Sequence, residues 1–173
     1  MLPEIKRILY TTDLSPNAAY AFRYAIKVAK EHGAGVTIMH VIPRMDPTMA
    51  VPIAAYMGEE KFYQLMKERK QEVIERIKAR LKKFTDKVLK ETPEVIERVE
   101  AIKVIEGDPA AEILEEVDRG DYDLLIMGSH SKGIIPHAFL GDVVTKVLRR
   151  VNKPVLVVPI PKGKLDLTFE EGK

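Results

Sequence analysis

The residues best suited to chemistry stand close together. Gly128-Ser129-His130-Ser131 follows an apolar tetrad, Leu124 to Met127, and Gly141 stands just before a helical pattern. Glycines at 128, 133 and 141 let backbone amides crowd around an anion, and the positive end of a helix favours phosphate there. His130 is the side chain of this loop most suited to touch a phosphate. The plainer reading of the same glycines is that they permit tight turns. Residue types alone leave both readings open.

Known phosphate and catalytic motifs fail on inspection. Gly128 to Gly133 has half the spacing of a P-loop, but Ile134-Ile135 stands where Lys-Ser/Thr is needed. No G-x-G-x-x-G follows a strand, and Ser129 and Ser131 sit at the wrong offsets for a nucleophile elbow. His32, His40, His130 and His137 lack the spacing of a zinc site, so no metal centre is expected. No acid–base pair is evident, and no catalytic residue is assigned.

Composition removes further classes. The 173 residues include no cysteine, which excludes disulfides, thiolate metal sites and cysteine nucleophiles. Lys and Arg number 28 against 26 for Asp and Glu, a net charge of +2 that gives no general pull toward nucleic acid or anionic lipid. No apolar run approaches the ~20 residues of a membrane span. Met1 to Tyr10 shows no leader pattern, so a cytoplasmic protein is expected. Scarce amides, no cysteine and abundant Lys and Glu are a pattern of thermophilic proteins.

The elements that must position these residues alternate. Ile5 to Thr12 reads as a strand. Ser15-Pro16 opens a helix with Ala18, Ala21, Phe22, Ala25 and Ala29 on one face, stopped by Gly33. Val36 to Ile42 is a second strand, and the βαβ unit implies a parallel pair. Met45 to Gly58, with two prolines and an apolar stretch, reads as a loop. Glu59 to Lys90 is a long helix with Phe62, Met66, Val73, Ile77, Leu81, Phe84 and Val88 on one stripe. Its late basic cluster, Lys78 to Lys90, reads better as a solvated face than as an anion patch.

Val99 to Ile105 is a third strand, and Asp108-Pro109 caps a helix ending at Gly120. Leu124 to Met127 has the all-apolar character of a central parallel strand. A further helix carries Val144, Val147, Leu148 and Val151, and Pro154 introduces a last strand, Val155 to Val158. Five strands alternating with four helices make a doubly wound, Rossmann-like α/β fold, an open parallel sheet with helices on both faces. One domain over residues 1–161 is expected, with a polar tail at 162–173. Ligands in such sheets sit beyond the carboxyl ends of the strands. Those ends are Thr11-Thr12-Asp13, His40-Val41-Ile42 and Gly128-Ser129-His130-Ser131.

At this level the chain resembles a known family. Gly128-Ser129-His130-Ser131, Gly141-Asp142 and Lys153-Pro154-Val155-Leu156-Val157-Val158-Pro159 resemble the C-terminal signature of universal stress proteins. Asp13-Leu14-Ser15, His40-Val41-Ile42 and Gly107-Asp108-Pro109-Ala110 are similar to that family in order and spacing. The resemblance implies strand order 3-2-1-4-5 and a homodimer through the Val155 to Val158 strand. It also implies adenine nucleotide, AMP or ATP, between the ends of strands one and four, with Mg or Mn accompanying a triphosphate.

The site set that follows is Thr12, Asp13, Val41, Met127, Gly128, His130, Ser131, Gly141 and Asp142. By resemblance Asp13 lies near the adenosine, and Val41 meets the adenine through its backbone. Two positions depart from the nucleotide-binding pattern. Ser131 stands where glycine is the rule, and Asp142 where Ser or Thr is. A carboxylate ~4 Å from a phosphate charge is repelled by about 1 kcal/mol in water and about 4 at an effective dielectric of 20. The expectation is a regulatory nucleotide-binding homodimer in the stress response, without fast catalysis and with an unknown protein partner. A non-nucleotide interaction module of the same fold and a slow ATPase are the alternatives.

Overall fold

Three helices open on the same two-residue device, a short polar cap followed by proline. In the computed structural model, Ser15 accepts a hydrogen bond from the Ala18 amide at 3.2 Å, Asp46 from Thr48 at 2.8 Å and Asp108 from Ala111 at 2.9 Å. Pro16, Pro47 and Pro109 then begin the helices, where a missing N–H costs no bond. The structure describes residues 2–44, 46–90, 97–129 and 140–159. His130, Ser131, the Val88 side chain and the tail at 162–173 lie outside what it describes.

The order of elements is β1 (Arg7–Thr12), α1 (Pro16–His32), β2 (Gly35–Ile42), α2 (Pro47–Met57), α3 (Glu59–Leu89), β3 (Val99–Glu106), α4 (Pro109–Arg119), β4 (Leu124–Gly128), α5 (Asp142–Leu148) and β5 (Val155–Val158). The five strands form one all-parallel sheet of order β3-β2-β1-β4-β5, as the resemblance implied.

Alternation along the strands divides the core. Ile8, Tyr10, Val36, Ile38 and Ile126 face α1 and α3, while Leu9, Met39, Val41, Leu125 and Met127 face α4 and α5. The expected stripe of α1 is wholly buried, and its glycine stop, Gly33, takes a left-handed φ of 66°. Tyr10 and Phe22 rings lie 5.2 Å apart, and Phe22 and Phe84 5.6 Å, joining β1, α1 and α3. The buried Tyr10 hydroxyl donates to the carbonyl of Ala18, and burial pushes its pKa up.

Three expectations fail here. Residues 47–57 form a helix, not a loop, so the described residues contain five helices rather than four. Asp46-Pro47 is the same start signal as the other two, but Pro52 inside and the lack of amphipathic period hid it. Val151 lies beyond α5, which ends at Leu148. The α3 stripe buries Phe62, Leu81 and Phe84 but leaves Val73 exposed. In its basic stretch Lys78 pairs with Glu75 and Lys82 with Asp86, as on a solvated face.

The outer strand β3 carries a charge anchored inward. Glu116 of α4 is buried, and its Oε1 accepts from Lys103 Nζ at 2.5 Å and from Tyr122 Oη at 2.7 Å. Its carboxylate holds the Lys103 amine above the ordinary value, while burial, then the Glu116 bond, raises the Tyr122 hydroxyl.

Candidate functional site

The chain runs outward from β1 to β2 and β3, then returns to lay β4 on the other side of β1. The sheet therefore splits its connections between β1 and β4, the place where open α/β sheets leave a crevice. A cavity of about 340 Å³ opens there, within the size range of small-ligand sites. Its walls come from the ends of β1, β2 and β4 and the first turns of α4 and α5.

The β1 end is a shaped turn. Leu14 has φ 65°, the one non-glycine residue with positive φ among the described residues. That conformation costs about 1–2 kcal/mol. Two side chains hold it: Thr12 Oγ1 accepts from the Leu14 amide at 3.0 Å, and Asp13 Oδ1 accepts from the Ser15 amide at 2.9 Å. Leu14 itself packs against the core on the α1 side. Asp13 is thereby left at the rim with an exposed carboxylate.

β2 braces the same turn. His40 Nδ1 lies 2.7 Å from the Thr12 carbonyl oxygen, so Nδ1 carries the proton and donates. Burial pushes the imidazole pKa below its ordinary range, against the opposing pull of the Thr12 carbonyl and the Asp13 carboxylate; Arg80 adds to the fall.

On the opposite wall, residues 129 and 141 meet. The Gly141 amide donates to the Ser129 carbonyl at 2.8 Å, and the Ser129 amide donates to Val158 at 2.9 Å. The start of α5 is thus pinned to the ends of β4 and β5. Gly141 caps α5 with backbone only, and Asp142 occupies the first turn, its carboxylate 2.8 Å from Lys146 Nζ. That bond raises the Lys146 pKa. α5 has 7 residues, too short for a strong dipole, so attraction for an anion must come from local amides.

Thr12, Asp13, Val41, Met127, Gly128, Gly141 and Asp142 of the expected set all line this one cavity. Met39, Val41, Ile113, Met127 and Val144 make its interior apolar and buried. Thr11, Thr12 and Ser129 add buried hydroxyls. Among the described residues no group of three or more acidic or imidazole side chains is arranged to hold a metal. Among the described residues no helix is long and apolar enough to cross a membrane.

Comparison with known proteins decides the family. Residues 4–159 match the model of the universal stress protein family. The chain belongs to that family. Universal stress protein MJ0531 of Methanocaldococcus jannaschii is 31% identical over 157 residues, spanning 91% of this chain and 84% of the relative. Universal stress protein MJ0577 of the same organism is 29% identical over 88% of this chain and 94% of its own length. A solved structure of MJ0577 covers 93% of this chain and 100% of its own at a TM-score of 0.68 and 27% identity. A universal stress protein solved in complex with cAMP shares the fold at a TM-score of 0.57 and 20% identity, covering 90% and 98%.

In this universal stress protein, sequence reasoning missed the wall supplied by α4. Pro109 and Ile113 line the cavity together with Pro43 at the end of the β2 strand. The signal was present in Gly107-Asp108-Pro109-Ala110. A helix that follows a parallel strand starts at the ligand-bearing end of the sheet, so its first inward residues face the crevice.

Proposed function

We propose that this universal stress protein is a regulatory adenine-nucleotide-binding homodimer of the cytoplasm that performs no fast chemistry. One observation carries the reading: an apolar slot at the switch point of the sheet with a carboxylate held at its rim. A flat base suits the slot between Met39, Val41, Ile113 and Met127, where its burial is favourable. Asp13, fixed by the turn that follows β1, is placed to accept hydrogen bonds from ribose hydroxyls. Phosphate would extend toward Gly128 and Gly141. That a solved protein of the same fold carries cAMP supports the ligand class.

The chemistry of the phosphate end favours small charge. Asp142 presents a carboxylate there, partly offset by Lys146. AMP or ADP should therefore bind at least as tightly as ATP, and Mg or Mn bridging Asp142 and the phosphates should help ATP selectively. The lining titratable groups are Asp13, His40 and Asp142, and His40 commits its Nδ1 proton to Thr12. The homodimer is built on β5, an edge strand whose four residues are all apolar.

Calorimetric titration of AMP, ADP and ATP, with and without Mg or Mn, tests the reading. Micromolar AMP binding supports it. ATP at least tenfold tighter than AMP without metal would refute the account of the phosphate end. No binding by any of the three would favour the second reading, an interaction module of the same fold, for which Asp142 in the first turn of α5 is the motivating observation.

A further inference from the structure

The helix α2 hides nothing. No residue of Pro47–Met57 is buried, and its sequence, PTMAVPIAAYM, contains no charge. Met49, Val51, Ile53 and Tyr56 are 64%, 66%, 45% and 95% exposed, and Tyr63 in the second turn of α3 is 70% exposed. Helices that are apolar all round are normally covered. The two tyrosines alone present roughly 300 Å². Met49, Ile53 and Tyr56, four and three residues apart, share one face of α2 with Val51 on the opposite side, and with Tyr63 that face alone reaches the ~300–600 Å² that is the most a typical monomer shows.

We propose that α2 is the centre of a two-fold interface with a second copy of this chain. Area is the first argument. Two such faces packed together remove on the order of 1,000 Å² in total, the threshold of a specific interface. Composition is the second. A two-fold contact brings the patch against itself, so apolar surface meets apolar surface with no charge stranded.

A lipid surface fits less well. Interfacial helices carry a basic polar face opposite the apolar one. α2 has no polar face, and its flanks mix Arg44 and Lys61 with Asp46, Glu59 and Glu60.

This contact is separate from the β5 edge, so it is tested where β5 is disabled. In a Val157→Lys background, sedimentation equilibrium should still show dimer. Adding Ile53→Glu, a change at an exposed position of the apolar face that the fold should tolerate, should weaken that dimer at least tenfold. The native chain lacks cysteine, so Met57→Cys beside that face supplies a single thiol for a short bismaleimide. Cross-linked dimer formed in the Val157→Lys background, and lost with Ile53→Glu, supports the interface. A Val157→Lys chain that is monomeric by sedimentation with unchanged circular dichroism overturns it. So does a dimer indifferent to Ile53→Glu, or flotation of monomeric protein with phosphatidylcholine vesicles.

Discussion

His40 Nδ1 sits 2.7 Å from the backbone oxygen of Thr12, so β2 grips β1 at its last residue. The bond fixes the turn through Asp13 and the left-handed Leu14, which sets one side of the cavity. His40→Ala should cost about 1 kcal/mol of stability, the usual net value of such a bond. His40→Asn, which can still donate, should recover part of it. Chemical denaturation of the three proteins checks this, and identical midpoints would remove the bond from the account.

The same residue predicts a pH effect. Burial lowers the folded pKa of His40 below its unfolded value of about 6.5. The fold therefore favours neutral imidazole. That contribution is complete above the unfolded pKa and is lost as pH falls through the folded one. Thermal melts from pH 7.5 downward should show a loss of stability below about 6.5 that is smaller in His40→Asn.

At the other wall, Asp142→Ser should strengthen ATP binding without metal by tenfold or more, because one carboxylate is removed from the phosphate end. Stability should change little, since the pair with Lys146 is more than half exposed. Ser131→Gly should add to the gain, though not by simple summation. Calorimetry with a double variant whose ATP affinity equals the native value would show the departures to be harmless.

Glu116 is the acceptor shared by Lys103 and Tyr122. Glu116→Ala should cost about 2 kcal/mol, by leaving the buried Tyr122 hydroxyl without its partner. Both donors have raised pKa values in the fold, so their contribution is full below their unfolded pKa values and fades as pH climbs past about 10. Alkaline melts should therefore be shallower for Glu116→Ala. An unchanged alkaline profile would contradict the arrangement.

The β5 edge predicts an assembly that survives loss of α2. Light scattering on Ile53→Glu should give a dimer, and adding Val157→Lys should give monomer. Each buried valine contributes roughly 1.5–3 kcal/mol before association costs, enough for one lysine to be decisive. A monomeric Ile53→Glu chain would remove β5 from the interface.

Much of this architecture was legible because its signals are local and strong. Polar cap plus proline located α1 and α4, Gly33 ended α1, and the apolar run 124–127 identified a strand covered on both faces. α2 escaped because it buries nothing, so no period betrays it, and Pro52 reads as a breaker. Of the cavity, the residues on strand ends were accessible through the topology of parallel sheets. The His40–Thr12 brace was not, since it links residues 28 apart through register, which no spacing encodes. The left-handed Leu14 was equally hidden, being stabilised by two side-chain bonds rather than by glycine.

The two rims of the sheet are chemically unequal. β5 ends one side with four uncharged residues, whereas β3 ends the other with Glu100, Lys103 and Glu106. Head-to-tail growth would require the β5 rim of one molecule to join the β3 rim of the next, and Lys103, tethered to Glu116, resists such joining. The sheet has an adhesive side and an inert side. If two chains pair through β5, the joined sheet presents only β3 rims at both ends, so strand pairing alone would not extend it further.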